Sequence, residues 1–377
     1  MHDKKSLVSR YLYESPYIKD IRQFKQDIAT KRVIPHQVEV QPGPSGKNIC
    51  WLACPYCYGK SAINTNERLP FARYCEVLKD IIHGGCKKFI FAGWATDPLY
   101  YKHIDDLVQT VVVHNCIIGF NTRAIKITDR FIELISTPSL AKDSYVSISV
   151  NAGSNANYNL VNGVRSNSAR LYDSVLENVK KIVTQRNRNK ASLDVSASYL
   201  INKYTRSREE IVKFITDFKS VGVDLIRFSC PQIPRGDLPG ENTFIPSQND
   251  YEVFINELAP VIESFSDEAC TVIVVKGDNK FLQARTTPCF ARFIYPTIGY
   301  DGWLYHCSQS SGTNFRTQAL GNLAVNNFWD IFYDYDAENL EKYLSLCSRI
   351  MDNNHCRCDR KEHTVNNMIK QNGFFDK

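Results

Sequence analysis

Three cysteines stand close together in the 377-residue chain, Cys50, Cys54 and Cys57, within the octet CWLACPYC. Their C-x3-C-x2-C spacing predicts one short loop that turns three sulfurs toward a single face, which suits a cuboidal iron–sulfur cluster. The fourth iron of such a cluster is then left without a protein ligand. The alternative is a zinc knuckle or chance clustering among the chain's 13 cysteines, but zinc sites more often pair two C-x2-C units.

The octet resembles the signature of the radical S-adenosylmethionine (radical SAM) superfamily, with Tyr56 as the aromatic residue before the last cysteine. The resemblance implies that S-adenosylmethionine (SAM) binds the open iron of a [4Fe-4S] cluster. One electron from the reduced cluster would cleave SAM to a 5′-deoxyadenosyl radical. It also implies an electron donor of the flavodoxin or ferredoxin type. Cys50, Cys54 and Cys57 would then be both the metal ligands and the catalytic centre.

The elements around the octet alternate between strands and helices. Residues 36–40 alternate as a short strand does, and apolar residues spaced three or four apart predict helices between later strands. The later strands are predicted at 88–92, 116–121, 145–150, 193–200 and 223–229. Such a series predicts an α/β fold with a parallel sheet, and its six units match the partial (β/α)6, TIM-like barrel shared by radical SAM enzymes.

We expect four regions along the chain. They are an N-terminal helical extension (1–33), the radical SAM partial barrel (34–232), a connector (233–285) and a small C-terminal α+β domain (286–377).

The segment after the second predicted strand, GWATDP, resembles the family's glycine-rich, usually GGEP-like segment. Ligands of such barrels bind at the carboxyl ends of the strands. The resemblance therefore implies that Gly93, Thr96 and Asp97 bind SAM, with the backbone and an acid receiving its amino group.

Polar residues also follow the fourth predicted strand. Ser149 and Asn151 point to one side by strand alternation, which suits the ribose hydroxyls and the carboxylate of SAM. Arg165 lies where related enzymes often bring an arginine to that carboxylate. For each of these residues the alternative is a strand-end cap or a solvated loop.

A second cysteine set begins at Cys289. A hairpin is expected from strands at 293–295 and 300–305, with Asp301-Gly302 in the turn, and Cys307 follows it. The set then continues to Cys356 and Cys358.

This C-terminal pattern resembles the SPASM and twitch auxiliary-cluster domains found behind many radical SAM barrels. The resemblance implies one auxiliary [4Fe-4S] cluster on Cys289, Cys307, Cys356 and Cys358. One residue separates the last two cysteines where the family usually has two, so His355, Asp359 or His363 could replace a thiolate. Cys347 competes as a ligand, although it continues an apolar helical face and suits a buried structural role.

Composition narrows the class of protein. The net charge of +6 is spread along the chain, which argues against a nucleic-acid groove. No apolar run reaches the length of a membrane span, and the N-terminus lacks a signal core, so we expect a cytoplasmic protein without membrane contact. Its many cysteines then indicate thiols kept for metal and not disulfides.

The resemblance implies hydrogen abstraction from a substrate C–H bond. We expect a ribosomally made peptide, modified by crosslinking, epimerisation or backbone excision, with a small leader-binding partner protein. The alternative substrate is a sugar or aminocyclitol, dehydrogenated or epimerised in natural-product biosynthesis. A different class, a non-catalytic iron–sulfur electron-transfer or regulatory protein, needs neither a barrel nor an amino-acid-binding strand end.

Overall fold

The computed structural model describes most of the chain. The described residues are 18–43, 52–57, 67–94, 96–164, 168–231, 248–276, 288–340 and 360–374, together with residues 8, 50, 166 and 344.

In the described part of the chain, the centre of the fold is a sheet of ten strands, numbered in chain order and arranged β10-β9-β8-β1-β2-β3-β4-β5-β6-β7. Its first seven strands in sequence all run parallel to their neighbours. They are β1 (Val38–Val40), β2 (Lys88–Phe91), β3 (Ile117–Thr122), β4 (Ser144–Ser149), β5 (Leu193–Leu200), β6 (Leu225–Ser229) and β7 (Thr271–Val275). The remaining strands are β8 (Thr297–Ile298), β9 (Trp303–Tyr305) and β10 (Gly321–Asn322).

Helices join the parallel strands. Before and within the barrel they are α1 (Ile21–Ala29), α2 (Phe71–His83), α3 (Ile104–Val112), α4 (Asp129–Ile135), α5 (Asn155–Val161), α6 (Leu171–Asn189) and α7 (Arg208–Ser220). Next, α8 (Gln248–Val253) continues through a π-helical stretch (Phe254–Leu258) into α9 (Ala259–Glu263). The last are α10 (Ala291–Ile294), α11 (Phe328–Phe332) and α12 (Arg360–Gln371). None of the described helices is both long and apolar enough to cross a membrane.

Each parallel strand packs one face against the helices. On β5, the Tyr199 ring lies 4.8 Å from the Phe214 ring of α7, which identifies the helix-facing side. Because side chains alternate along a strand, Ser196 and Ser198 point to the opposite, inner face of the sheet. Ser198 is level with Ser149 of β4, so the inner face carries hydroxyl groups on adjacent strands.

The predicted fold class is confirmed, an α/β protein with a partial barrel followed by a small C-terminal part. The sheet is longer than the six expected units, because β7 lies in the range expected as a connector and pairs in parallel with β6. Within the described residues β1 and β7 do not pair with each other, so the barrel stays open.

The C-terminal hairpin forms, but its first strand is shifted. Residues 293–295, predicted as a strand, belong to α10 and the residue after it, and the strand is Thr297–Ile298 instead. A short apolar run does not distinguish a helix from a strand, and Pro296 ends the helix at this point. The predicted turn is present, since the Gly302 amide donates to the Gly299 carbonyl at 3.0 Å.

The described part of the N-terminal extension packs against the C-terminal part of the chain. Asp20 caps α1, and Phe24 of that helix lies 6.3 Å from Phe290 and 6.0 Å from Phe374 between ring centroids. The Tyr335 hydroxyl donates to the Ile28 carbonyl at 2.6 Å. These contacts extend the main hydrophobic core from the barrel to the C-terminal elements.

Candidate active site

The cysteine loop follows β1 and therefore lies at the carboxyl edge of the parallel strands. Cys54 is buried, whereas Cys50 and Cys57 are partly buried. The Cys57 amide donates to the Cys54 carbonyl at 3.1 Å, which closes a tight turn between these two cysteines. Burial raises the pKa of the Cys50 thiol to about 11, and the Cys54 and Cys57 thiols act in the same direction. The three thiols therefore lie near enough to interact electrostatically.

The three thiols of this loop are the donor set of a candidate metal centre. Among the described residues no three cysteine, histidine or acidic side chains converge on one point that could hold a metal ion. A cuboidal cluster binds each cysteine through a different iron, so its three thiolates need not converge on one centre. The donor set of three thiols on one loop thus fits a three-cysteine [4Fe-4S] cluster.

Tyr56 lies in this loop and is buried. Its hydroxyl accepts hydrogen bonds from Arg123 Nη2 at 2.6 Å and from Asn151 Nδ2 at 2.7 Å, and it donates to Asn162 Oδ1 at 2.9 Å. Burial raises the pKa of Tyr56 well above its ordinary value, so the phenol stays protonated. The ring of Tyr56 is fixed at its tip by three residues from three separate parts of the barrel.

Arg123 follows β3 and extends into the cysteine loop. Its Nη2 lies 3.4 Å from Cys54 Sγ, and its Nη1 donates to Asn162 Oδ1 and, at 3.4 Å, to the Ser149 carbonyl. Burial lowers the pKa of Arg123, but Tyr56 and Cys54 outweigh it and hold that pKa well above the ordinary value. Arg123 was not predicted as a site residue, although it directly follows a predicted strand.

Asn162 and Gly163, just after α5, form the second contact of the loop. The Asn162 carbonyl accepts the Ala53 amide at 3.0 Å, while its side-chain nitrogen donates to the Tyr158 carbonyl at 2.9 Å. Gly163 has a φ of 61°, and a Cβ there would lie 2.4 Å from the Ala53 carbonyl oxygen. Only glycine fits this approach. Neither residue was predicted to belong to the site.

The turn after β2 contains the residues predicted to bind the amino group of SAM. A Cβ at Gly93 would lie 1.7 Å from the Thr96 carbonyl oxygen, so the turn closes only on glycine. The buried Asp97 carboxylate accepts the Leu99 amide at 3.0 Å, the Thr122 hydroxyl at 2.8 Å and the Arg123 amide at 2.6 Å. Burial raises the pKa of Asp97 despite these bonds. Asp97 therefore fastens this turn to the end of β3.

The residues predicted to bind the ribose and carboxylate of SAM lie at the same edge. Asn151 adopts a φ of 66° and is 1% exposed. Its Oδ1 accepts the Leu200 amide at 2.9 Å while its Nδ2 donates to Tyr56, so both ends of its amide have protein partners. The Ser149 hydroxyl lies 3.4 Å from Ser198 Oγ. Arg165 lies outside the described residues.

The structure describes the first two members of the second cysteine set. Cys289 and Cys307 are both buried, and Cys307 Sγ lies 3.4 Å from Ser310 Oγ. Next to Cys289, the Phe290 amide donates to Asn366 Oδ1 of α12 at 2.7 Å. The other candidate ligands lie outside the described residues, and so does the side chain of His363. These candidates are Cys347, His355, Cys356, Cys358 and Asp359.

Comparison with known proteins agrees with this geometry. Residues 46–215 match the model of the radical SAM superfamily. This part of the chain is similar to a radical SAM domain. The matched range includes the cysteine loop, the turn at 93–97, Arg123 and Asn162. Members of that superfamily are enzymes that use SAM and a [4Fe-4S] cluster. No match is found among curated proteins.

Solved structures share the fold. SuiB from Streptococcus suis bound to S-adenosylmethionine is 15% identical, with a TM-score of 0.59 over 82% of this chain and 68% of that chain. SuiB bound to the precursor peptide SuiA gives a TM-score of 0.60 at 15% identity, over 85% and 70% of the two chains. The protein anSMEcpe with bound AdoMet and a Kp18Cys peptide gives 0.55 at 15% identity, over 81% and 82%.

Proposed function

We propose that this protein is a radical SAM enzyme that abstracts a hydrogen atom from a C–H bond of a ribosomally made peptide. The main observation in support of the proposal is that the cysteine loop and the turn at 93–97 lie together at one edge of the barrel. Arg123 joins them, because its side chain contacts Cys54 and Tyr56 while its amide binds Asp97. Such a junction would bring a cluster and SAM within reach of each other.

The residues of the cysteine loop would have different roles in this reaction. Cys50, Cys54 and Cys57 would hold the cluster, and Tyr56 would line the cofactor site from the same loop. When bound, the cluster and SAM supply an electron and the 5′-deoxyadenosyl radical. The protein's part is to bind, orient and exclude water, as expected where the cofactor carries the reactivity.

We propose that the turn of Gly93, Thr96 and Asp97 receives the methionine end of SAM. Because Asp97 already accepts hydrogen bonds from Leu99 and Thr122, its largest contribution is to hold the turn in place. Its buried negative charge would still attract an ammonium group.

Three further residues remain proposed SAM contacts. Ser149 and Asn151 lie at the same carboxyl edge of the strands as the turn at 93–97. Arg165 completes the set as a proposed partner of the carboxylate.

The auxiliary cluster is part of the proposal, with Cys289, Cys307, Cys356 and Cys358 as ligands. Two observations support it. Cys289 and Cys307 are both buried thiols, and α12, which begins at residue 360, contacts the residue next to Cys289. Asn366 of α12 is thus held next to the segment of Cys289.

A peptide substrate is supported by the solved structures that share the fold. SuiB was solved with a precursor peptide and anSMEcpe with a Kp18Cys peptide. On the inner face of β4 and β5 the hydroxyls of Ser147, Ser196 and Ser198 are buried, and Ser149 is the partly exposed serine that could donate to or accept from a peptide backbone. We propose further that a flavodoxin or ferredoxin supplies the electron and that a small partner protein binds the leader.

The first experiment measures iron and cofactor cleavage. Anaerobically reconstituted protein is expected to hold about eight irons, as two cuboidal clusters, and to form 5′-deoxyadenosine from SAM with dithionite. Replacing Cys50, Cys54 and Cys57 by Ala is expected to leave about four irons and no cleavage. Cys75→Ala, on α2, serves as the matched control and is expected to keep both properties. Absence of 5′-deoxyadenosine from protein with intact clusters would refute the proposal.

The second experiment identifies the substrate class. The protein is co-expressed with each short reading frame next to its gene, and the peptides are examined by mass spectrometry. A loss of two hydrogens, deuterium at an epimerised centre or an excised fragment is the expected result. Modification of a purified amino sugar, with no peptide changed, would favour the sugar substrate instead.

A further inference from the structure

Arg123 connects the two parts of the site on which the proposed function rests. Its amide donates to Asp97 at 2.6 Å, and its guanidinium lies 3.4 Å from the sulfur of Cys54. We infer that Arg123 sets the reduction potential of the cluster, by holding a positive charge and an N–H donor against the Cys54 sulfur. This inference depends on the proposed cluster, and it makes Arg123 a positioning residue that acts through Cys54.

The physical reason is the charge added on reduction. A bound cluster would take one electron from an external one-electron reductant, no bond to the protein would form or break, and Arg123 would keep its protons. A hydrogen bond to a ligating sulfur and a nearby cation both stabilise the more negative, reduced cluster. Because Cys54 is buried, the attraction is screened less than it would be in water.

The guanidinium is held in this place by several contacts. Asn162 Oδ1 and the Ser149 carbonyl accept from its Nη1, and its carbon lies 5.6 Å from the centre of the Tyr56 ring. These partners are neutral groups. The Asp97 carboxylate accepts the backbone amide of Arg123, while the guanidinium makes its own hydrogen bonds to Cys54 and Tyr56 of the loop.

The test is a redox titration followed by electron paramagnetic resonance on reconstituted protein without SAM. The signal followed is the one that disappears in the Cys50→Ala variant. In Arg123→Gln, the ratio of reduced to oxidised cluster at a fixed potential is expected to fall about tenfold, equivalent to about 59 mV for one electron. Arg123→Lys keeps the charge but loses the planar fork, so its midpoint is expected between those of the wild type and Arg123→Gln.

The matched control is Arg130→Gln, because Arg130 is an exposed arginine on α4 that pairs with Asp106 at 2.7 Å. Its midpoint is expected to equal that of the wild type. An unchanged midpoint in Arg123→Gln with full iron content would overturn the inference. A shift in Arg123→Lys as large as in Arg123→Gln would overturn the role of the charge.

If Arg123→Gln loses iron, the midpoint potential of Arg123→Lys becomes the deciding measurement. A midpoint below that of the wild type then supports the inference, and a midpoint equal to or above it overturns the inference. The iron content of the unaltered protein shows whether a negative result concerns only Arg123 or the proposed function as well. No cluster in that protein would overturn both, whereas a cluster with an unaffected midpoint would overturn only the role of Arg123.

Discussion

Removing the Tyr56 hydroxyl is expected to loosen the cysteine loop. In Tyr56→Phe, Asn151 Nδ2 loses its acceptor, while Asn151 Oδ1 stays engaged with the Leu200 amide. Asn151 is 1% exposed, so its Nδ2 cannot form a replacement hydrogen bond with water. Leaving one buried donor without a partner costs about 1–3 kcal/mol. The Arg123 side chain keeps its contacts with Asn162 and Cys54.

Hydrogen–deuterium exchange measures this loosening directly. The Ala53 amide is protected by its bond to the Asn162 carbonyl at 3.0 Å, and it exchanges when the loop opens. A cost of about 1–3 kcal/mol raises the opening constant about 5- to 150-fold, and the exchange rate with it. Amides of α7, far along the chain, are expected to keep their rates, which shows that the effect is local.

Tyr204→Phe is the matched control, because Tyr204 is 40% exposed. Its loss of one hydroxyl is expected to change stability by less than about 0.5 kcal/mol, as is usual for surface substitutions. If the Ala53 amide exchanges equally fast in Tyr56→Phe and Tyr204→Phe, the Tyr56 hydroxyl does not anchor the loop and the reasoning is wrong.

Three further outcomes are expected. Gly163→Ala is expected to lower iron retention, because its Cβ would lie 2.4 Å from the Ala53 carbonyl oxygen. Gly222→Ala is the control, because Gly222 also has a positive φ but its Cβ would meet only a side chain, at 3.2 Å. Equal iron content in the two variants would contradict the prediction. Burial raises the pKa of Asp97 above 3.8, so its contribution to stability is present at low pH and is lost as pH rises through the raised value. In urea titrations the free energy of unfolding of the wild type is therefore expected to fall relative to that of Asp97→Asn as pH rises across the acidic range. A difference between the two that does not change with pH would argue against this role of Asp97. Tyr335→Phe removes the hydroxyl bond to α1 and is expected to destabilise that helix by about 1 kcal/mol, with trypsin cleavage near residue 25 as the measurement; unchanged cleavage would exclude this anchor.

The architecture of the barrel could be predicted because local periodicity reports it. The strand at 193–200 has the predicted bounds, since its apolar residues alternate with polar ones from Leu193 to Tyr199. A helix start can also be predicted from a capping residue, as at Thr128, whose hydroxyl accepts the Phe131 amide at 3.0 Å. The stretch at 293–295 was assigned wrongly, because a short apolar run carries no period.

The contacts of the site could be predicted only in part. Reading the residues after each strand identified the turn at 93–97 and Asn151, and the same rule applied to β3 would have identified Arg123. Asn162 gave no local signal, because it follows a helix and is more than 100 residues from Cys54. What brings it to the loop is the parallel order of strands, which the sequence does not state directly.

The position of β1 in the sheet has a consequence for the order of folding. β1 lies between β2 and β8, and Val40 pairs with Ile298, with more than half of the chain between them. During synthesis, one edge of β1 therefore stays without its partner until the segment of β8 has left the ribosome. Open strand edges favour wrong pairing, and contacts between distant residues form slowly. Substitutions in the short β8 are thus expected to reduce the yield of folded protein more than the stability of the protein once it has folded.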